Sequence, residues 1–176
     1  MHKLIEKLVG AGVTVLDGAT GTQLQTRGLP HDACPDEWNL SHPEDVEEVA
    51  RAYVQAGSQI ILTNTFGANR FALGRHRLAD RVAQINRQAV EIACRAAEGR
   101  AHVFGSIGPS GVMLLMGEVG PEELQEGFAE QARALAEAGA AGLAVETMSD
   151  LNEAKLAVSA ARQTGLPVVA CMVFGS

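Results

Sequence analysis

Short apolar runs alternate along the chain with longer stretches whose apolar residues recur every three to four positions, the pattern of strands interleaved with helices. Val13-Thr14-Val15-Leu16 is the first predicted strand, stopped by Asp17-Gly18. Ser41-x-x-Glu44 reads as a capping box with Pro43 in the first turn, and Val46, Val49, Ala50, Tyr53 and Val54 then share one helical face that Gly57 closes. Ser58-Gln59-Ile60-Ile61-Leu62-Thr63 is the second predicted strand, and Val82, Ile85, Ala89, Ile92 and Ala96 mark a long helix ended by Gly99. His102-Val103-Phe104-Gly105-Ser106 follows as the third strand, leading into the loop Ile107-Gly108-Pro109-Ser110-Gly111 and an irregular stretch to Gly120. Pro121 opens a helix with the stripe Leu124, Phe128, Ala132 and Leu135, which Gly139 stops, and Gly142-Leu143-Ala144-Val145 is the fourth strand. Asp150-x-x-Glu153 caps a helix carrying Leu151, Ala154, Val158 and Ala161, and after Gly165 the run from Pro167 to Val173 is the fifth strand.

Strands separated by helices imply right-handed βαβ units, so the fold class is α/β with a parallel sheet covered by helices. The strands start near residues 13, 58, 102, 141 and 167. Carried to eight strands, that spacing needs on the order of 250–300 residues, the size of a (β/α)8 TIM barrel. Residues 1–176 therefore read as one partial barrel domain holding about the first five strands, with no internal repeat or linker. Composition narrows the function. Fourteen Lys+Arg against 21 Asp+Glu give a net charge of −7, and without a basic stretch a nucleic-acid role is disfavoured. No run approaches the roughly 20 apolar residues of a membrane span, and the amino terminus lacks a signal-peptide apolar region, so the expected location is cytoplasmic with no membrane partner. Cys34, Cys94 and Cys171 are widely spaced and odd in number, which fits free thiols: Cys94 inside a helix and Cys171 inside a strand as buried small hydrophobes, Cys34 in a loop.

Chemistry in α/β sheets collects beyond the carboxyl ends of the strands. Those positions are polar here: Asp17-Gly18-Ala19-Thr20-Gly21-Thr22, Thr63-Asn64-Thr65-Phe66-Gly67, Ser106 with its Gly-Pro turn, and Glu146-Thr147. Asp17 and Glu146 each end an apolar strand, and two convergent acids suit a divalent cation or a ligand ammonium group, unless each merely caps the next helix. The glycine-rich turn after Asp17 lets backbone N–H groups approach an anion, and acids beside such a turn match a zwitterionic amino acid. The turn has neither a Gly-Lys-Ser/Thr ending nor the G-x-G-x-x-G spacing, which sets nucleotides aside. Phe66 packs either on a ligand or in the core. The five histidines form no metal-binding cluster and read as surface or capping residues, and the acidic helix faces (Glu47, Glu48; Glu122, Glu123, Glu126, Glu130) as solvated surface.

Taken together and in order, Leu16-Asp17-Gly18-Ala19-Thr20-Gly21-Thr22, Asn39-Leu40, Ala56-Gly57-Ser58, Leu62-Thr63-Asn64-Thr65-Phe66-Gly67-Ala68, Gly105-Ser106-Ile107-Gly108-Pro109 and Glu146-Thr147 resemble the homocysteine S-methyltransferase family, closest to the homocysteine-binding module of cobalamin-dependent methionine synthases. The resemblance covers nearly the whole chain. It implies a (β/α)8 barrel in which zinc, held by three cysteine thiolates, keeps the homocysteine sulfur as a thiolate for attack on a methyl group. It implies further that Asp17 and Glu146 take the amino group of homocysteine, that N–H groups around Gly18 and Ala19, with Thr20 alongside and Thr65, hold its carboxylate, and that Asn64 and Phe66 shape the pocket.

In the family the zinc cysteines follow at the end of strand six and in a Gly-Gly-Cys-Cys-Gly segment near strand eight, and none of Cys34, Cys94 or Cys171 sits in either motif. The expectation is a chain that binds the amino-acid part of homocysteine, lacks the metal ligands and any catalytic residue of its own, and is inactive alone as an amino-terminal fragment. The alternative is a non-catalytic amino-acid-binding half barrel, or a split-barrel subunit completed by a carboxyl-terminal half or further domains. The methyl donor stays open between methyltetrahydrofolate through cobalamin, S-methylmethionine and betaine. A third reading makes Asp17 and Glu146 ligands of an oxygen-loving metal.

Overall fold

The computed structural model describes residues 2–112, 117 and 119–174. In chain order the helices and strands are α1 (Lys3–Gly10), α2 (Thr20–Thr26), α3 (Trp38–Ser41), α4 (Pro43–Gln55), β1 (Ile60–Leu62), α5 (Arg70–Gly74), α6 (Val82–Ala97), β2 (His102–Ile107), α7 (Pro121–Glu137), β3 (Gly142–Met148), α8 (Leu151–Arg162) and β4 (Val168–Met172). The four strands form one sheet in the order β1-β2-β3-β4, every neighbouring pair parallel, with Ile61 opposite Val103, Ser106 opposite Ala144 and Val145 opposite Ala170. The α/β class with parallel βα units is as the sequence predicts.

Period-two alternation along the strands divides their side chains into two sets. Ile61 and Val103 pack with Val54, Ala93 and Ala97, while Ile107, Leu143 and Val145 join Leu124, Phe128, Leu135, Ala157 and Ala161 of α7 and α8. This is the helix-facing core. The predicted stripe of α7 supplies it, with Leu124, Phe128, Ala132 and Leu135 all buried there; the α6 stripe of Val82, Ile85, Ala89, Ile92 and Ala96 is buried too, but Val82 and Ile85 pack with Cys34, Ala68 and Leu73, and Ile92 with Leu24, Trp38 and Val49, leaving Ala93 and Ala97 to meet the strands. The predicted stops hold as well, with Gly57 and Gly139 in the left-handed region and α6 ending on Glu98 at φ 49 just before Gly99.

Several local expectations are corrected. Val13–Leu16 makes a single bridge, Leu16 to Ile60, instead of a strand. The Val15 carbonyl accepts the Gln59 and Ile60 N–H groups, but the segment has β1 on one side only, and Val13 is 90% exposed. Among the described residues the strand count is thus four. The capping box at Ser41 does not form: Ser41 ends α3 and bonds Glu37, and His42 occupies the cap position of α4 with its ring against the Ser41 hydroxyl and no side-chain bond to the helix N–H groups. At α8 only half the box forms. Asp150 accepts the Asn152 and Glu153 N–H groups, whereas the buried Glu153 carboxylate turns away to accept from the Ser110 N–H and hydroxyl. Cys94 and Cys171, expected as buried small hydrophobes, are exposed, while Cys34 in its loop is buried. Cys94 lies on the outer face of α6 beside exposed Glu91 and Arg95, and β4 has no neighbour beyond it among the described residues. Helices α1, α2, α3 and α5 were not predicted, being short or, for α1, without a buried residue. Part of the irregular stretch before Gly120, residues 113–116 and 118, lies outside the described residues.

Candidate functional site

The second set of strand side chains builds the site. Leu62, Ser106 and Glu146 alternate with the helix-facing residues and line a cavity of about 610 Å³ at the carboxyl ends of β1, β2 and β3. Ser106 pairs in register with Ala144, and Glu146 follows two residues on, which brings the Ser106 hydroxyl to 2.6 Å from Glu146 Oε1 as its donor. The strand then bulges. Val145 and Met148 both pack in the helix-facing core although three residues apart, the register shifts between them, and Thr147 takes φ 60. β3 therefore runs past its predicted end at Val145, and the extra residue leaves Glu146 on the cavity side.

Asp17 enters from the segment bridging β1. Its Oδ2 accepts the Leu62 N–H at 2.7 Å, while Oδ1 is buried and has no partner. Burial pushes its pKa up from 3.8 to about 6; the Leu62 N–H pulls it down, and the neighbouring Glu146 charge raises it further. Neither acid caps a helix: each bonds an adjacent strand, which removes the capping explanation.

Gly18, Ala19, Thr20, Asn64 and Phe66 line the same cavity. A Cβ at Gly18 would meet the Tyr53 hydroxyl at 2.9 Å, and that hydroxyl donates to the Ala19 carbonyl, so glycine here admits Tyr53 under the turn. The turn leads straight into α2, whose cap residue Ala19 offers no side-chain acceptor to the first N–H groups. Asn64 spends its amide on the Pro35 carbonyl and Asn39 Oδ1, pinning the 34–39 loop to the cavity wall. Phe66 is 45% exposed, not core, and a Cβ at Gly108 would lie 2.6 Å from its ring. Thr65 is not brought to the cavity. Its fully buried hydroxyl donates to the Ser106 carbonyl and pairs with Thr63.

The sequence reading missed Cys34, Asp36, Arg75 and His76 as lining residues, and it placed Ser106 at a strand end without giving it a role in the site. Asp36 is 5% exposed, accepts the Gly67 N–H at 3.0 Å, and is pushed up to about 6, chiefly by burial. No motif announces it, because a lone Asp after a proline reads as surface. Ser106 had a signal, a hydroxyl at a strand end. Among the described residues no group of three or more His, Cys, Asp or Glu is placed to hold a metal ion. Cys34, Cys94 and Cys171 stand on three separate elements, so these residues do not fit a zinc ion. Likewise, no described helix is long and apolar enough to cross a membrane.

A family model described as homocysteine S-methyltransferase matches residues 14–176. Methionine synthase from Mycobacterium tuberculosis is 33% identical over 163 residues, covering 86% of this chain and 14% of that protein, and methionine synthase from Mycobacterium leprae is 32% identical over the same length. The chain thus spans about a seventh of the curated relatives it matches. Among solved structures, the metallated form of the homocysteine methyltransferase MmuM from Escherichia coli superposes with a TM-score of 0.81 at 25% identity, covering 97% of this chain and 66% of that one.

Proposed function

Because the chain belongs to the homocysteine S-methyltransferase family, we propose that residues 1–176 are the homocysteine-binding part of an enzyme that moves a methyl group onto the homocysteine thiol. The observation that carries this reading is the acid pair: two carboxylates, one from the segment bridging β1 and one from β3, meet in one cavity, and Asp17 Oδ1 is buried there without a partner. An ammonium group supplies the missing donors and relieves the repulsion between the acids. The uncapped N–H groups at the start of α2, after Gly18 and Ala19, offer the carboxylate of the same amino acid its donors, with Thr20 beside them. Thr65 acts from behind, by holding the Ser106 main chain. Asn64 and Phe66 shape the wall, and the sulfur extends into the rest of the cavity toward the methyl donor.

Methyl transfer needs the sulfur as a thiolate, and a family zinc supplies that where it is bound. The described residues fit no zinc, so the role derived for this chain is to bind and orient the amino acid. The donor, whether a methylcobalamin charged by methyltetrahydrofolate, S-methylmethionine or betaine, and any further domain are assigned to surroundings this chain would share. The test is calorimetric titration of the chain with L-homocysteine and with 4-mercaptobutanoate, the same molecule without its amino group. Saturable binding of homocysteine alone, weakened at least about tenfold by Asp17→Asn or Glu146→Gln, is expected from loss of a charged hydrogen bond. Equal binding of the two ligands would overturn the reading.

A second reading, a half barrel that pairs with a complementary half, is favoured by one observation. Beside β4 runs a groove of about 460 Å³ lined by Leu151, Ala154, Val158, Ala170 and Met172, and Leu151 is 58% exposed. Light scattering of the chain alone and with the remaining strands of a relative's barrel would show whether this edge recruits them.

A further inference from the structure

We propose that Ser106 is a positioning residue that fixes the Glu146 carboxylate in the clamp, and that the buried Thr63, Thr65 and Gln131 side chains form the scaffold that aims its hydroxyl. This rests on the reading of Asp17 and Glu146 as the ammonium clamp. Ser106 is 2% exposed and every polar atom it has is engaged. Its N–H donates to Thr63 Oγ1 at 3.0 Å; its carbonyl accepts from Thr65 Oγ1 at 2.8 Å and from Gln131 Nε2 at 3.3 Å; its hydroxyl donates to Glu146 Oε1 at 2.6 Å.

The scaffold draws on two parts of the chain. Thr63 and Thr65 follow β1 and bond each other at 2.6 Å, and Gln131 reaches in from α7 to the Thr65 carbonyl as well at 2.8 Å. These three side chains are buried, with Thr65 and Gln131 fully so. A hydrophobic core has no need of such polar groups, and each costs desolvation unless paired. Their shared product is a main chain at Ser106 held from both sides. Without the hydroxyl, Glu146 has no other hydrogen-bond donor among the described residues, and its flexible stem would leave the carboxylate free to swing toward solvent. With the Ser106 hydroxyl donating to Oε1, Glu146 Oε2 is left for the ligand.

A double-mutant cycle tests this. In the parent chain Ser106→Ala should weaken L-homocysteine binding about tenfold, the scale of one hydrogen bond to a charged group. In a Glu146→Gln background the same change should cost less than about twofold, since the group it positions has lost its charge. Ser106→Cys, of similar shape with a weak S–H donor, should fall between. Equal losses in the two backgrounds, or no loss in the parent, would overturn the proposal.

A ligand-free arm keeps this separate from the clamp reading. Asp17 feels the Glu146 charge, while Cys34, Asp36, Arg75 and His76 are the other ionisable groups lining the cavity. Carbon-detected NMR titration of the Asp17 carboxyl should show its midpoint moving on Ser106→Ala in the parent and staying put in Glu146→Gln. A shift that is absent, or the same in both, refutes the positioning role. Failure of homocysteine to bind the parent, with the titration as expected, would refute the clamp and leave the positioning intact.

Discussion

Replacing Asp17 by Asn should make the chain more stable and weaken its binding of homocysteine. The folded chain raises this acid from 3.8 to about 6, mainly by burial, so between those values the native state binds the proton more tightly than the unfolded chain does. Stability therefore falls as pH rises through that window. It is highest below about pH 4, where both states are protonated, and the loss is complete above about pH 6. A shift of about two units at 1.36 kcal/mol each sets the penalty near 3 kcal/mol at pH 7.5. Asn removes the charge and keeps an oxygen to accept the Leu62 N–H that now reaches Oδ2 at 2.7 Å. Its amide N–H would replace the unpartnered Oδ1 with an unpartnered donor, returning about 1 kcal/mol of the gain. The expected outcome is about 2 kcal/mol of added stability at pH 7.5 and none at pH 4, measured by urea unfolding at both pH values. Homocysteine binding at pH 7.5 should drop at least tenfold in the same variant. A variant less stable than the parent at pH 7.5, or one with the parent's full pH dependence, would refute the account of Asp17 as a charge held at a cost for binding.

The two remaining predictions concern packing. Phe104 lies opposite Gly142 in the β2–β3 register, with its ring where a side chain would stand, so a Cβ there meets Phe104 Cζ at 2.6 Å; Gly142→Ala should cost about 1–3 kcal/mol by thermal unfolding, and a neutral result would contradict that close contact. Native chain should react with a thiol reagent at Cys94 and Cys171, while Cys34, buried and with its thiol pushed up to about 11 by that burial, should label only on unfolding, as peptide mass spectrometry would show.

The parallel α/β plan was legible because long helices must bury a stripe: the periodic residues of α6 and α7 are all buried, those of α7 against the sheet. Short elements were less so. A helix such as α5, five residues capped by Asn69, gives too few turns for periodicity to register, and its cap is one Asn among many. The segment at Val13 has the composition of a strand, but pairing is a property of two partners, and β1 covers one side only. Local propensity also misjudged the cysteines, since nothing in a single residue tells which face of α6 or β4 it will occupy.

The site was readable for a different reason. Asp17 and Glu146 each end an apolar run, and a charge there is a local contradiction that only a function or a cap explains. The structure removes the cap by showing both acids bonded across the sheet. Asp36 carries the same contradiction without the sign. Its neighbours Pro35 and Glu37 read as a surface turn, and only the three-dimensional closure of Gly67 and Cys34 around it makes its carboxylate a buried one. Three acids thus share one cavity, two of them raised to about 6, in a chain whose remaining charges sit largely on the surface. That arrangement opposes folding at neutral pH and suits a ligand's ammonium group, so the place where this sequence is least consistent with stability is the place where its function is best read.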